Sequence, residues 1–288
     1  MSEHKGIWTI GRILKWTEEF FLKKGIESPR LDAEVLLAHV LERERIYLYV
    51  HFDEPLEQRE LAAYRELIRQ RVQHQPVAYL LGEKEFMGLR LKVSPAVLIP
   101  RPDTETLVQA AVERLRKKQA ARFADIGTGS GAICLSVLNF VPDAVAETVD
   151  ISTEARALAE ENAAALGLTE RITFHTGDLL APLQGKFSAL LSNPPYIPER
   201  ELEGLQPEVR CSEPRMALAG GADGLDFYRR LCAEGPAFLE AGGFLAFEVG
   251  RGQAGAVAAL ARANPLIAGT EIIEDLAGIE RVVIGYRS

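Results

Sequence analysis

Apolar positions recur at helical spacing through the first part of the chain and then change rhythm. Ile10, Ile13, Leu14, Thr17, Phe20 and Phe21 share one face of a helix that stops at Gly25. Ser28-Pro29 supplies an N-cap and a proline at the first helical position, leading into a second helix through Leu31, Val35, Leu36 and Ala38 to Leu41. A third helix is predicted from Leu56 to about Val72, with Leu61, Tyr64, Leu67 and Ile68 on one face. Residues 1–80 are therefore expected to form a small, all-helical domain.

From Glu83 to Val93 apolar positions alternate with charged ones around Gly88, the pattern of a short β-hairpin, and residues 81–100 are expected to connect two domains. Pro100-Arg101-Pro102 is a stiff extended element, and Asp103 or Thr104 then caps a helix through Leu107, Val108, Ala111, Val112 and Leu115. The basic run Arg114, Arg116, Lys117, Lys118 is expected to be a solvated helix end. Beyond Arg122 strand and helix patterns alternate, which predicts an α/β domain over 101–288 with a parallel sheet covered on both faces. The last two strand-like runs, TEIIED and RVVIGY, stand too close for a helical crossover, so the final strand is expected to run antiparallel.

Composition narrows this picture without changing it. Of 288 residues 47% are hydrophobic and 26% charged, ordinary globular usage. A net charge of -8 has the wrong sign for a protein that grips a nucleic-acid backbone directly. The opening MSEHKGIWTIGR lacks a signal-peptide core, and no apolar run reaches the roughly 20 residues of a membrane span, so a cytoplasmic protein is expected, working as a monomer. Cys134, Cys211 and Cys232 are few and odd in number, fitting free thiols, with Cys134 a core residue. His4, His39, His51, His74 and His175 form no metal-binding spacing, and no metal is expected.

Candidate chemistry begins at Asp125-Ile-Gly127-Thr128-Gly129-Ser130-Gly131, between a strand and the helix starting near Ala132. Glycines there permit a tight turn and close approach of a ligand to the backbone, although an ordinary strand-to-helix turn has the same form. Asp150 closes the next strand, where a doubly wound sheet sets an acid against ribose hydroxyls. Asp178 and Leu179 follow the third strand of the series; Asp178 faces a bound adenine or caps the next turn.

The fourth strand of that series, Phe187 to Ser192, is apolar and expected to be central, and it ends at Asn193-Pro194-Pro195-Tyr196. Prolines cannot continue the ladder, so the chain turns at the carboxyl edge of the sheet, where open α/β sheets bind ligands. The Asn193 side-chain oxygen and the Pro194 carbonyl can accept the two N–H bonds of an amide or aromatic amine and hold its delocalised lone pair in line with a methyl donor. Tyr196 can cover a planar acceptor.

With these residues the chain resembles the bacterial release-factor glutamine methyltransferases. The resemblance is carried by Arg30-Leu-Asp-Ala-Glu34, Val97-Leu-Ile-Pro-Arg-Pro-Asp-Thr-Glu105, Asp125 to Ile133, Ser192 to Ile197, and Glu213 to Tyr228. It implies a seven-strand, Rossmann-like S-adenosylmethionine-dependent methyltransferase domain, with a helical N-terminal domain that helps to grip the protein substrate. It implies methylation of the glutamine N5 in the Gly-Gly-Gln motif of class-one peptide-chain release factors. S-adenosylmethionine would then be bound by Gly127 to Gly131, Asp150, the Asp178–Leu179 site and Asn193, and the glutamine by Asn193 to Tyr196. Two other readings use the same motifs: an adenine-amino methyltransferase acting on DNA or RNA, and a non-catalytic S-adenosylmethionine-binding module. Arg101 and Glu105 are assigned no catalytic role, since a salt-bridged hinge accounts for them equally well.

Overall fold

Five helices, rather than three, form ahead of Gly82 in the computed structural model, which describes residues 7–288. Residues up to Gly82 make one unit together with Pro207–Ser212; Glu83–Gln206 and Glu213–Ser288 make the other. In the first unit α1 (Ile10–Lys23) is capped by Thr9, whose hydroxyl accepts from the Arg12 amide at 3.4 Å. It is followed by α2 (Pro29–Val40), α3 (Arg45–Val50), α4 (Gln58–Arg71) and α5 (Val77–Leu81). Glu57 and Glu60 form a reciprocal capping box at the start of α4. Ile10, Leu14, Phe21, Leu36, Leu37, Leu48 and Tyr64 close the core.

Two features of this unit do not follow from its helical period. Leu31 is exposed and Val35 only half-buried, because α2 turns Asp32, Ala33, Glu34, Leu36 and Leu37 inward instead. Burying two acids is feasible because each meets cations: Arg71 donates to Asp32 at 2.7 Å, and Arg30, Arg45 and Tyr49 all donate to Glu34. A linear division at residue 80 also misses Pro207–Ser212. That segment joins the helical unit through Glu208, which accepts from the buried Arg71.

The second unit opens with the hairpin β1 (Glu83–Phe86) and β2 (Leu89–Lys92), paired from Glu83↔Lys92 to Phe86↔Leu89. After it come α6 (Thr104–Leu115), β3 (Arg122–Ile126), α7 (Ala132–Phe140), β4 (Val145–Asp150), α8 (Thr153–Ala165), β5 (Ile172–Thr176) and β6 (Phe187–Ser192). The segment Pro207–Ser212 is α9, and the chain ends with α10 (Asp226–Glu234), β7 (Leu239–Glu248), α11 (Ala254–Arg262), β8 (Ile267–Glu274) and β9 (Glu280–Arg287). Seven strands form one sheet in the order β5-β4-β3-β6-β7-β9-β8. The first five are mutually parallel, and β9 runs antiparallel to both neighbours. All six residues of the central β6 are buried.

Helices on the two faces enclose two apolar clusters, one around Phe123, Leu135, Leu138 and Phe244, the other around Leu190, Tyr228, Leu245 and Phe247. Cys134 lies in the first, fully buried. The basic run at the end of α6 is solvated at Arg116 and Lys117, which are exposed, but not at Arg114 and Lys118. Arg114 donates to Tyr286 at 2.9 Å and Glu271 at 2.7 Å, and Lys118 to Glu240 at 2.8 Å, tying the helix end to the sheet. Among the described residues no helix is long and apolar enough to cross a membrane.

Candidate active site

Strand order reverses at β3, which has β4 on one side and β6 on the other, so the loops leaving β3 and β6 splay apart at their carboxyl ends. A cavity of about 400 Å³ opens there, within the range of small-molecule sites. Its lining includes Gly127, Thr128, Gly129, Ser130, Asp150, Asp178, Leu179, Asn193, Pro194 and Pro195. Gly131 and Tyr196 lie outside that lining.

The loop after β3 is shaped by glycine. Gly127, Gly129 and Gly131 have φ of 74°, 54° and 84°, the left-handed region that side chains disfavour. A Cβ on Gly127 or Gly129 would meet nothing within 4 Å, so the space above the loop is open to a ligand. On Gly131 it would stand 2.8 Å from Leu135 Cδ1. Asn162, buried on α8, fastens the loop from behind: its Nδ2 donates to the carbonyls of Ser130 at 2.8 Å and Lys92 at 3.0 Å, while its Oδ1 accepts from the Lys92 amide at 2.7 Å.

Two acids brace the same loop differently. Asp150, half-buried at the end of β4, accepts from the Gly129 amide at 2.9 Å through one oxygen and from the Ser152 amide at 2.9 Å through the other. Asp125 is fully buried beneath the loop; its Oδ2 accepts from Thr128 Oγ1 at 2.8 Å and the Cys134 amide at 3.2 Å, and its Oδ1 has no partner. Burial pushes the Asp125 carboxyl up to about 7, and the Asp150 charge adds to this against the two hydrogen bonds.

At the far side of the cavity Asp178 gives both carboxylate oxygens to Arg230, at 3.0 and 2.7 Å, so neither oxygen caps a turn. Arg230 holds the carboxyl below its usual range. Leu179 beside it adopts φ of 49°, a strained conformation for leucine, and lines the cavity.

The ends of β3 and β6 are locked together by Ser192, whose hydroxyl donates to the Ile126 carbonyl at 2.6 Å. Beyond it, Ile197 pairs with the Leu218–Gly220 strip: Ile197 N donates to Leu218 O at 3.0 Å and Gly220 N to Ile197 O at 2.8 Å. Gly220 must lack a side chain here, since its Cβ would lie 2.8 Å from both the Pro195 carbonyl and the Tyr196 Cα. Gln253 Nε2 donates to the Tyr196 carbonyl at 3.0 Å. The Tyr196 ring packs toward Gly250 and the apolar core, and burial raises its phenol to about 12. Asn193 Nδ2 donates to Thr104 Oγ1 at 3.2 Å.

Thr104, Asn162 and Glu248 support the site without belonging to its glycine, acid or Asn-Pro-Pro-Tyr motifs. Thr104 is named only as a cap, yet it lines the cavity. Glu248 ends β7 and is 1% exposed, and the available signal is an acid at the end of the otherwise apolar run Phe244–Phe247. Arg101 lines the cavity and pairs with the buried Glu213, which joins two of the stretches that carry the family resemblance. Glu105 accepts from the Met87 amide at the long distance of 3.5 Å. Among the described residues no group of three or more His, Cys, Asp or Glu is placed to hold a metal; His4 lies outside them.

Comparison with known proteins adds a family to this geometry. Residues 12–82 match the family model described as the PrmC N-terminal domain, and 103–205 match the methyltransferase small domain. The chain is 47% identical over 255 residues to a release factor glutamine methyltransferase of Geobacter sulfurreducens, covering 88% of each chain. To that of Moorella thermoacetica it is 47% identical over 264 residues, covering 91% of this chain and 93% of the relative. A solved methyltransferase from Pyrococcus furiosus, 16% identical, shares the fold with a TM-score of 0.50 over 69% of this chain and 89% of that one.

Proposed function

Because the chain belongs to the release factor glutamine methyltransferase family, we propose that it transfers a methyl group from S-adenosylmethionine to the side-chain N5 of a glutamine, the one in the Gly-Gly-Gln motif of class-one release factors. The observation that carries this reading is that Asn193 and Pro194, at the end of β6, line one cavity with the glycine loop after β3.

The residues present fit the cofactor. The left-handed Gly127 and Gly129 leave open space over the loop, and Asp150 borders the same space with lone pairs for vicinal hydroxyls. Gly127 to Gly131 and Asp150 would hold its nucleoside and methionine portions, and the backbone at Asp178 and Leu179 would border the adenine. Bound S-adenosylmethionine supplies an electrophilic methyl on a sulfonium. The protein's task is orientation: the Asn193 side-chain oxygen and the Pro194 carbonyl accept the two amide N–H bonds and stabilise positive charge as it develops on nitrogen. Pro195 keeps the turn rigid, and Tyr196, whose ring packs into the core rather than over the cavity, braces that turn from behind instead of covering the acceptor. The extra proton leaves to water after transfer, with no metal and no covalent enzyme intermediate in the scheme.

An adenine amine offers the same two N–H bonds, but the net charge of -8 disfavours a nucleic-acid substrate, as does the family. The working compartment is the cytoplasm, where release factors function. The test is peptide mass spectrometry of a purified release factor incubated with the protein and S-adenosylmethionine. One added methyl on the Gly-Gly-Gln glutamine is expected, with the rate falling roughly a hundred- to thousandfold in Asn193→Ala. An unmodified glutamine, with methyl transfer to nucleic acid under the same conditions, would move the assignment to the adenine class.

A further inference from the structure

Behind Asn193, away from the cavity, stands a carboxylate that the transfer scheme does not use. Glu248 is 1% exposed at the end of β7, its own carbonyl accepting from the Tyr228 hydroxyl at 2.7 Å. The register Ser192↔Phe247 between β6 and β7 sets it beside Asn193, and Thr104, itself buried at the start of α6, and the Asn193 carboxamide both favour its charged form. Asn193 Nδ2 donates to Thr104 Oγ1 at 3.2 Å, so the three side chains form one polar cluster at the ends of β6 and β7. An ionised carboxylate only accepts, so it dictates which end of the Asn193 carboxamide faces it. With Nδ2 directed inward to Thr104 on the side of Glu248, the oxygen is the end left for the cavity that Asn193 lines.

We propose that Glu248, acting with Thr104, is a positioning residue that fixes the Asn193 carboxamide with its oxygen toward the acceptor amide. A carboxamide is close to symmetric in shape, so packing alone distinguishes its two orientations poorly, and an inverted Asn193 would present N–H to the substrate N–H bonds. A glutamate at this depth, with one oxygen unpartnered and no cation bound to it, is costly to bury. The charged and titratable groups around it are Asp103 ahead of α6, Arg281 on β9, Tyr196 after β6 and Tyr228 on α10. Arg281 is shared with Asp103 at 2.8 Å and Asp275 at 3.1 Å, so it does not neutralise Glu248 outright. Burial first, and then Asp103, push the Glu248 carboxyl up to about 7, which brings the switch between acceptor and donor into the working range.

The catalytic consequence rests on the proposed glutamine methylation; the orientation of Asn193 does not, and the test separates them. Nuclear magnetic resonance of the Asn193 side-chain NH2, assigned by its loss in Asn193→Ala, is recorded against pH in the wild type and in Glu248→Gln. Single-turnover methyl transfer to the release factor and binding of S-adenosylhomocysteine are measured in parallel. A titration of the Asn193 signal near pH 7 that disappears in Glu248→Gln is expected, with the transfer rate at least tenfold lower and S-adenosylhomocysteine affinity within about twofold. If Glu248→Gln fails to fold, Thr104→Val replaces it, and Thr104→Ser should recover most of the lost rate. An Asn193 signal indifferent to both substitutions overturns the positioning role. If the wild type leaves the release factor unmodified, the functional reading fails and the resonance measurement still decides the positioning.

Discussion

Each of the two units buries acids, and Glu34 in one is treated in the opposite way to Asp125 and Glu248 in the other. In the helical unit Glu34, 1% exposed, receives Arg30, Arg45 at 2.7 Å and Tyr49 at 2.6 Å; burial alone would raise its carboxyl, but these donors outweigh it and hold the group below its usual range. In the α/β unit Asp125 and Glu248 are as deeply buried, meet no cation directly, retain an unpartnered oxygen each, and are both raised to about 7. Glu34 therefore holds a fold together when charged, whereas the other two sit under a loop and behind an amide that must keep one geometry. The difference separates acids that stabilise from acids whose burial is tolerated for the sake of a site.

The largest expected effect on stability comes from breaking the satisfied acid. Glu34→Gln should destabilise the helical unit by about 2 kcal/mol, less than a wholly buried pair because Arg30 and Arg45 can turn to solvent. Both tryptophans, Trp8 and Trp16, lie in this unit, so fluorescence-detected urea unfolding reads it selectively. The depressed carboxyl contributes stability above its unfolded value of 4.5 and loses it as pH falls through the lower folded value, so the gap between variant and wild type should close in acid. A gap unchanged down to the acid transition would mean the charge of Glu34 is irrelevant.

Asp125 tests the other half with the opposite sign. Its folded carboxyl is raised from 3.8 to about 7, so its contribution is fully present below 3.8 and is lost as pH climbs through 7. Asp125→Asn removes the charge while leaving one oxygen to accept from Thr128 and the Cys134 amide. The variant should gain on the wild type as pH rises from 5 to 8, by about 1 kcal/mol at the upper end, after allowing for the new buried amide donor. Melting curves that stay parallel across this range would show that Asp125 is not protonated when buried.

Much of the fold was legible because period and punctuation agree with it. The glycine loop, the acid ending β4 and the prolines ending β6 all mark carboxyl ends of strands, which the parallel sheet then gathers into one cavity. The motif Arg30 to Glu34 was legible as a resemblance but not as physics, since its meaning depends on Arg45 and Arg71, both outside the helix that carries it. The short helices α3 and α5 were missed because, at 6 and 5 residues, they are too brief to show a period. Thr104, Asn162 and Glu248 escaped for a similar reason. Each acts through partners distant in sequence, and a polar residue at an element's end reads as a cap until those partners are known.

The smallest expected effect belongs to an acid that is neither buried nor raised. Asp178 borders the cavity, but both its oxygens are committed to Arg230 on α10, and this exposed pair should contribute little to stability. If the adenine edge is met by the backbone at Leu179 rather than by this carboxylate, Asp178→Asn should shift the melting temperature by no more than about 1 °C and S-adenosylhomocysteine affinity by less than about threefold. Calorimetric titration decides it. A tenfold loss of affinity with unchanged melting would give the carboxylate a direct part in binding and group Asp178 with Asp150. Loss of both together would mean that the Arg230 pair holds Leu179 at its φ of 49°, and that an exposed ion pair here shapes the site.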